Sequence, residues 1–218
     1  GSGGQFQKGG GRIPGSADSG SIEIETKKEH WDPLSLITST PDELNRHSDI
    51  VSDPDQTEAL KVYSGGMSVE INLSLRTGLQ LSDEAASIAE HISKAIESVP
   101  PLSDSITVYR GMTVPDLDES AFVNSFPPGS DFRNNGFMST SLSPAVVSQF
   151  GGTRSGGIAM IIKAKKGVYL GGGVAQLSGE REFLMNHKSK FKVIGYHRRP
   201  EWKMKKGGKL AHMITFME

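Results

Sequence analysis

SITVYRG (105–111) marks the point at which the residue pattern changes from helical to extended. The segments that follow are short, rich in β-branched and aromatic residues, and separated by Gly, Pro or Asn, which is typical of strands joined by turns. They are GFMSTS (136–141), GIAMIIKAK (157–165), EREFLM (180–185), FKVIGYHRR (191–199) and KLAHMITFM (209–217). The second half of the chain is therefore predicted to consist mainly of strands.

Helical signals precede this point. A helix is predicted from about Asp55 to Tyr63, and Ser68 and Ser82 are the expected N-caps of two further helices. The longest of these repeats apolar residues at helical spacing, namely Ala85, Ile88, Ala89, Ile92, Ile96 and Val99. Helices first and strands afterwards predict an α+β fold, in which N-terminal helices pack on a two-sheet, largely antiparallel β-core.

Length and composition favour one folded domain with an extension. The chain has 218 residues, of which 35% are hydrophobic, and this suits a single core. Residues 1–22 are so rich in Gly and Ser that they bury too little apolar area to offset the entropy of ordering. We expect a flexible tail or linker over residues 1–22 and a single domain over residues 30–218.

Several classes of protein are disfavoured. The chain has no cysteine, so it has no disulfide framework and no thiolate nucleophile, and its six histidines lack metal-ligand spacing. No apolar run approaches the ~20 residues of a membrane-spanning helix, and no signal peptide is recognisable. We therefore expect a protein without metal or membrane association that acts in the cytoplasm.

Tyr109-Arg110-Gly111 closes the first predicted strand. An arginine at a strand end is commonly only a solvated charge. Next to a glycine, which allows a ligand to approach the backbone closely, the guanidinium group can instead form forked hydrogen bonds to a phosphate. This tripeptide alone leaves both interpretations open.

Two pairs of polar residues also stand two positions apart in predicted strands. Ser139 and Ser141 share one side of their strand, and Glu180 and Glu182 share one side of theirs. In the ordinary interpretation the hydroxyl groups bond to nearby backbone and the carboxylates are solvated. The alternative is a cleft in which two carboxylates stabilise a developing sugar cation and activate an acceptor, as in glycoside cleavage.

Taken in order, the segments VYRGM, GFMSTSLS and SGEREFLM resemble the arginine–serine–glutamate class of mono-ADP-ribosyltransferases, which includes bacterial exotoxins that modify actin and Rho. The resemblance extends to EALKVYSGG and INLSLR upstream and to LSPAVVSQFGG (142–152) downstream. It covers roughly residues 50–217. It implies the ADP-ribosyltransferase fold for the domain at residues 30–218, and NAD⁺ as the substrate.

The resemblance also implies roles for individual residues. Arg110 matches the arginine that binds the NAD⁺ diphosphate, and Ser139 matches the serine that orients the catalytic glutamate. Glu182 matches that glutamate, which stabilises the oxocarbenium ion as nicotinamide leaves, and Glu180 matches the upstream acid of a Glu-x-Glu pair. The remaining residues that the resemblance places around NAD⁺ are Gly111, Arg76 and Arg154 near phosphate, Asn72, Tyr63 near adenosine, Thr140, Ser141, and Phe150 beside nicotinamide.

The acceptor of the ADP-ribose is less narrowly indicated. The family associates the Glu-x-Glu pair with transfer to protein arginine, whereas a basic C-terminal quarter also suits nucleic acid, or simply keeps strands soluble. An NAD⁺ glycohydrolase and an inactive NAD-binding module remain alternatives, although Arg110, Ser139 and Glu182 are all present. The toxin-like resemblance implies delivery to a target cell by secretion or injection. The basic residues are Lys188, Lys190, Lys192, Arg198, Arg199, Lys203, Lys205, Lys206 and Lys209.

Overall fold

Among the elements whose bounds the structure describes, the helices precede the strands along the chain. The structure, a computed structural model, describes residues 42–113, 124–144, 157–171, 181–199 and 211–217. The described helices are α1 (Asp42–Asn45), α2 (His47–Ile50), α3 (Pro54–Val62), α4 (Ser68–Thr77) and α5 (Asp83–Ser98). The described strands are β1 (Ile106–Thr113), β2 (Asp131–Arg133), β3 (Met138–Ser141), β4 (Gly157–Ala164), β5 (Val168–Tyr169), β6 (Glu182–Met185), β7 (Lys190–Arg199) and β8 (Ala211–Met217).

Side-chain caps fix the starts of two helices. The Asp53 carboxylate accepts hydrogen bonds from the backbone N–H groups of Asp55 (2.9 Å) and Gln56 (3.2 Å) ahead of α3. The Ser82 hydroxyl accepts one from Ala85 (3.2 Å) ahead of α5, which confirms the predicted cap.

The expected cap at Ser68 is wrong. Ser68 is already the first residue of α4, because a wide π-helical turn over Tyr63–Met67 joins α3 directly to α4. Gly66 supplies the kink in that turn with φ at 145°, a conformation that residues with a side chain rarely adopt.

The eight strands form one hydrogen-bonded sheet in the order β2-β7-β8-β4-β1-β3-β6-β5. All neighbouring pairs are antiparallel except β4 and β8. β1 pairs with β4 along its whole length, from Ile106 to Thr113. Between β1 and β3, the described residues show one registered pair, Tyr109 with Ser141. The expected two sheets are therefore two halves of one sheet, joined at this single pair.

The core lies on both sides of the sheet, and β6 shows this directly. Phe183 and Met185 belong to one buried cluster with residues of β1, β4 and β7. Leu184 belongs to a second cluster, which contains the apolar faces of α3, α4 and α5 together with Phe137. This packing of helices on a mostly antiparallel sheet confirms the predicted α+β class.

Two strands were not predicted from the sequence. β2 has three residues and β5 has two, so neither is long enough to show the alternation that identifies a strand. β2 matters for the site, because the chain passes from it directly towards β3.

Some sequence predictions fall wholly or partly outside the described residues. These include the tail at residues 1–22 and the last part of the basic C-terminal stretch, from Lys203 to Lys209. Lys192, a described part of that stretch, forms an ion pair with Asp131 at 2.8 Å. Within the described ranges, no helix is both long and apolar enough to cross a membrane, and no group of three or more His, Asp or Glu residues is arranged to hold a metal ion.

His47 connects the short helix α2 to strand β5. Its side chain is 1% exposed, and its Nδ1 accepts a hydrogen bond from the backbone N–H of Tyr169 at 3.1 Å. Burial lowers the pKa of His47; Glu43 opposes this shift and Lys166 reinforces it. The folded protein therefore favours the neutral imidazole.

We expect the free energy of unfolding to fall as the pH drops below about 6.5, the pKa of an unfolded histidine. Above that pH both states are neutral at His47, and below it the unfolded chain takes up the proton first. The loss of stability stops once the pH falls below the pKa of His47 in the folded protein. Urea unfolding at several pH values measures the free energy of unfolding as a function of pH. His47→Asn, which keeps a hydrogen-bond acceptor, should reduce the slope of that dependence. An unchanged slope would contradict the assignment.

Candidate active site

The site is built where the two halves of the sheet separate. Beyond the pair of Tyr109 with Ser141, β1 continues along β4 while β3 continues along β6. Arg110 is the next residue of β1, and its Nη1 donates a hydrogen bond of 2.6 Å to the carbonyl oxygen of Ser139 in β3. The guanidinium group therefore bridges the split and holds its two edges in a fixed relation.

A cleft of about 280 Å³ opens beside this arginine. Among the described residues, its apolar lining comes largely from methionine, and its polar lining contains three guanidinium groups and no carboxylate. Such a cleft suits an anionic ligand that also carries apolar surface. The lining residues are Arg76, Arg110, Met112, Phe132, Arg133, Asn134, Asn135, Met138 and Met160.

The electrostatics of Arg110 agree with a site for an anion. Burial, followed by the charge of Arg76, lowers the pKa of Arg110, whereas Tyr63 and Glu182 act in the opposite direction. Two neighbouring guanidinium groups repel each other unless a negative group lies between them. A phosphate bound to both would remove that repulsion.

Helix α4 supplies the second arginine and the asparagine of the site. Asn72 and Arg76 are four residues apart and so lie on one face of the helix. A Cβ atom on Gly136 would lie 2.7 Å from Asn72 Oδ1 and 3.0 Å from Arg76 Nε. Glycine at position 136 thus allows α4 to lie close against the chain that enters β3.

The hydroxyl residues of β3 divide into different roles. Thr140 Oγ1 donates to the carbonyl oxygen of Phe183 at 2.6 Å, and Ser141 Oγ accepts from the backbone N–H of Ser143 at 2.9 Å. Both are buried. They hold the strand in place, while Ser139 is half-buried and opposes the rise in pKa that burial gives Tyr63.

Glu182 lies at the start of β6, opposite Ser141. It is half-buried and close enough to Arg110 and Tyr63 to influence the pKa of each. Its carboxylate therefore belongs to the same group of side chains as the arginine and the serine motif.

Of the predicted glutamate pair, the structure describes Glu182 and the residue before it. β6 begins at Glu182, and the preceding Arg181 has φ at 47°, in the left-handed region. The described strand alternation therefore begins at Glu182. Glu180, Phe150 and Arg154 lie outside the described residues.

Most of the remaining predicted site residues are brought together. Tyr63 joins the group through its hydroxyl, which accepts a hydrogen bond from Asn72 Nδ2 at 2.8 Å. Its ring is 1% exposed and packs edge-on against Phe137, so this structure does not show the ring available to stack on adenosine. Gly111 lies in β1 opposite Ala159 and does not line the cleft.

The sequence interpretation missed the side of the cleft that comes from β2 and the loop after it. Phe132, Arg133, Asn134 and Asn135 all line the cleft. The segment DFRNNG (131–136) has no periodicity, and its only signal was its position immediately before the serine motif.

Comparison with known proteins places this geometry in a family. The model of the family described as ADP-ribosyltransferase exoenzyme matches residues 37–214, which is most of the chain. Secreted exoenzyme S of Pseudomonas aeruginosa is 28% identical over 136 residues, covering 62% of this chain and 28% of that protein. The ADP-ribosyltransferase toxin AexT of Aeromonas salmonicida is 31% identical over 136 residues, covering 62% and 27%. The chain thus spans less than a third of the length of these relatives.

Solved structures share the fold. Exoenzyme S of Pseudomonas aeruginosa, solved with human 14-3-3 protein beta and bound to carba-NAD, has a TM-score of 0.62 at 19% identity, covering 84% of this chain and 86% of that one. The C3 exoenzyme of Clostridium limosum has a TM-score of 0.62 at 20% identity, covering 80% and 90%. The chain belongs to the ADP-ribosyltransferase exoenzyme family.

Proposed function

We propose that the chain is a toxin-like, NAD⁺-dependent mono-ADP-ribosyltransferase with Arg110, Ser139, Glu180 and Glu182 as its central residues. One observation carries the proposal. The arginine that lines the cleft is hydrogen-bonded to the carbonyl oxygen of Ser139 at the serine motif, and it lies within electrostatic reach of Glu182. Phosphate binding and carboxylate chemistry therefore fall within a single site.

NAD⁺ is a suitable ligand for this arrangement. Its two phosphates match the guanidinium groups of Arg76 and Arg110, and the apolar lining of the cleft suits an aromatic base. We assign Asn72 to the same binding region. Phe150 and Arg154 are assigned beside nicotinamide and phosphate by the family resemblance. Exoenzyme S, which shares the fold, has been solved bound to carba-NAD.

The chemistry is the transfer of a sugar cation. The bond between the nicotinamide nitrogen and the ribose C1′ breaks, and the electron pair leaves with nicotinamide. The carboxylate of Glu182, oriented by Ser139, stabilises the oxocarbenium ion that remains. An acceptor atom then attacks C1′ and loses a proton as the new bond forms.

Protein arginine is the acceptor that we favour. The pKa of a guanidinium group lies far above neutral pH, so the group is protonated and a poor nucleophile until a base draws off its proton. Glu180 is assigned to that step. The chain carries the Glu-x-Glu sequence that the step needs.

Incubation of the purified chain with adenylate-labelled NAD⁺ and whole-cell lysate tests the proposal. Labelled material that protease destroys and nuclease spares identifies a protein acceptor, and the opposite pattern identifies nucleic acid. Nicotinamide release without labelled macromolecules identifies a glycohydrolase. Absence of both label and nicotinamide release would contradict the proposed activity.

We expect Arg110→Lys to weaken NAD⁺ binding by about tenfold or more, the effect of losing one charge-assisted hydrogen bond. Lysine keeps the charge, but it cannot bridge to the Ser139 carbonyl and hold a phosphate with the same planar fork. Calorimetric titration measures the change. Arg46→Lys, at an exposed position between α1 and α2, is the matched control. Equal affinity for Arg110→Lys and wild type would remove Arg110 from the site.

The setting in which the chain acts is part of the proposal. Its relatives are named as a secreted exoenzyme and as a toxin. We propose that this chain likewise modifies macromolecules in the cytoplasm of a cell to which it is delivered.

A further inference from the structure

Arg133 is the third arginine of the cleft. It lies at the end of β2, whereas Arg76 comes from α4 and Arg110 from β1, so separate elements each bring one guanidinium group to the same cavity. The cavity volume of about 280 Å³ is at the small end for a ligand site. The guanidinium groups therefore face one ligand rather than several.

Strand pairing does not explain a positive charge at position 133. Asp131 lies opposite Lys192 in β7, and the two side chains form an ion pair at 2.8 Å. Arg133 lies opposite Lys190, so two positive side chains share a cross-strand position, an arrangement that destabilises a sheet. In the part of the chain that the structure describes, no carboxylate forms an ion pair with Arg133. A bound anion would offset this repulsion.

The backbone beside Arg133 is held firmly in place. The next residue, Asn134, is buried, and its backbone N–H donates to the carbonyl oxygen of Ser189 at 3.0 Å. Its own carbonyl oxygen accepts from the backbone N–H of Lys188 at 2.7 Å, and its side chain donates to the carbonyl oxygen of Gly136. Arg133 itself is exposed, so its guanidinium group extends from a fixed backbone position. Binding then requires the side chain to be ordered, but not the backbone.

The diphosphate of NAD⁺ is the ligand group that such a residue suits. Arg110 already uses its Nη1 for the carbonyl oxygen of Ser139, so part of its fork is occupied. The oxygens of a diphosphate can accept hydrogen bonds from more than two guanidinium groups. We propose that Arg133 is a further NAD⁺-binding residue, which binds the diphosphate from β2 together with Arg76 and Arg110. This inference rests on the proposed function, because it concerns the same ligand in the same cleft.

The location of the diphosphate in NAD⁺ determines which constant Arg133 affects. The bond that breaks joins nicotinamide to the ribose C1′, and the charge of the diphosphate does not change as it breaks. A contact to the diphosphate therefore stabilises bound NAD⁺ and the transition state equally. Loss of this contact should weaken binding without slowing the cleavage of bound NAD⁺.

The test is Arg133→Gln, which removes the charge and the fork. Calorimetric titration uses ADP, which carries the diphosphate but has no nicotinamide to release. Single-turnover nicotinamide release is followed at increasing concentrations of excess enzyme, which gives both the dissociation constant for NAD⁺ and the rate at saturation. We expect both dissociation constants to rise about tenfold, the effect of one lost charge-assisted hydrogen bond, and the rate at saturation to change by less than about twofold.

Lys190→Gln is the matched control, since Lys190 lies across from Arg133 in β7 and does not line the cleft. It removes the same charge, and because solvent and salt screen that charge it should change the affinity for ADP by less than about twofold. Thermal unfolding of Arg133→Gln should be no lower than that of wild type, because the substitution removes a contact between like charges.

The inference is overturned if Arg133→Gln binds ADP as tightly as wild type, or if Lys190→Gln weakens binding to the same extent. It is also overturned if Arg133→Gln slows the cleavage of bound NAD⁺ more than it weakens binding. Wild-type protein whose ADP affinity depends on Arg133, but which releases no nicotinamide, would overturn the proposed function and leave this inference standing.

Discussion

Glu182→Gln should lose both ADP-ribose transfer and NAD⁺ hydrolysis by about 10²–10³-fold, the usual effect of removing one electrostatic contact to a transition state. Glutamine keeps the shape of the side chain but not the negative charge that stabilises the oxocarbenium ion. Both reactions pass through that cation, so both rates should fall together. Nicotinamide release and label transfer, measured on the same preparation, test this.

The fold should survive this change, because Glu182 is half-buried at the start of its strand rather than in the core. Thermal unfolding should stay close to that of wild type. Glu58→Gln is a matched control in α3, where the carboxylate is 69% exposed, and it should leave both rates unchanged. A folded Glu182→Gln protein with more than half of the wild-type hydrolysis would rule out the proposed role.

Glu180→Gln should separate the two activities that Glu182→Gln removes together. If Glu180 serves only the acceptor, transfer to a guanidino compound such as agmatine should fall by about 10²-fold or more, the range of a lost general base. Hydrolysis should change little, because water needs less activation than a protonated guanidinium group. Parallel assays of nicotinamide release and agmatine labelling measure both.

The opposite outcome would be informative about the acceptor. If Glu180→Gln transfers ADP-ribose to its natural target as fast as wild type does, arginine is not the acceptor. A nucleic-acid base or another side chain would then replace it in the proposal. The role of Glu182 would not be affected by that result.

The sequence was sufficient for the fold class because its signals are local. Ser82 ahead of a long amphipathic helix, and the separated apolar segments after residue 104, predict elements that the structure confirms with end shifts of one to a few residues. β2 and β5 are too short to carry a periodic signal, since pairing with β7 and β6 rather than local preference makes them strands.

Residues of the candidate site could be predicted only where they belong to a recognisable sequence motif. Arg110, Ser139 and Glu182 were identified by order and spacing, and the structure brings all three to the split between β1 and β3. Arg133 could not be identified in this way, because its place in the cleft depends on how β2 leads into β3.

Tyr63 shows the limit of a role carried over from a resemblance. The resemblance placed it near adenosine, and the structure buries its ring and directs its hydroxyl to Asn72, whose Nδ2 donates to it. Sequence spacing gives the proximity of a residue to a site. The direction of its polar group depends on packing by residues distant in the chain, such as Phe137.

The most direct test of the account is a crystal structure of the chain with a non-hydrolysable NAD⁺ analogue. The central claim is that Arg76, Arg110 and Glu182 form one NAD⁺ site. We predict the diphosphate within hydrogen-bonding distance, about 3 Å, of the two arginines, and the nicotinamide ribose beside the Glu182 carboxylate. An analogue bound away from this cleft, or bound in it with the nicotinamide ribose far from Glu182, would contradict the claim.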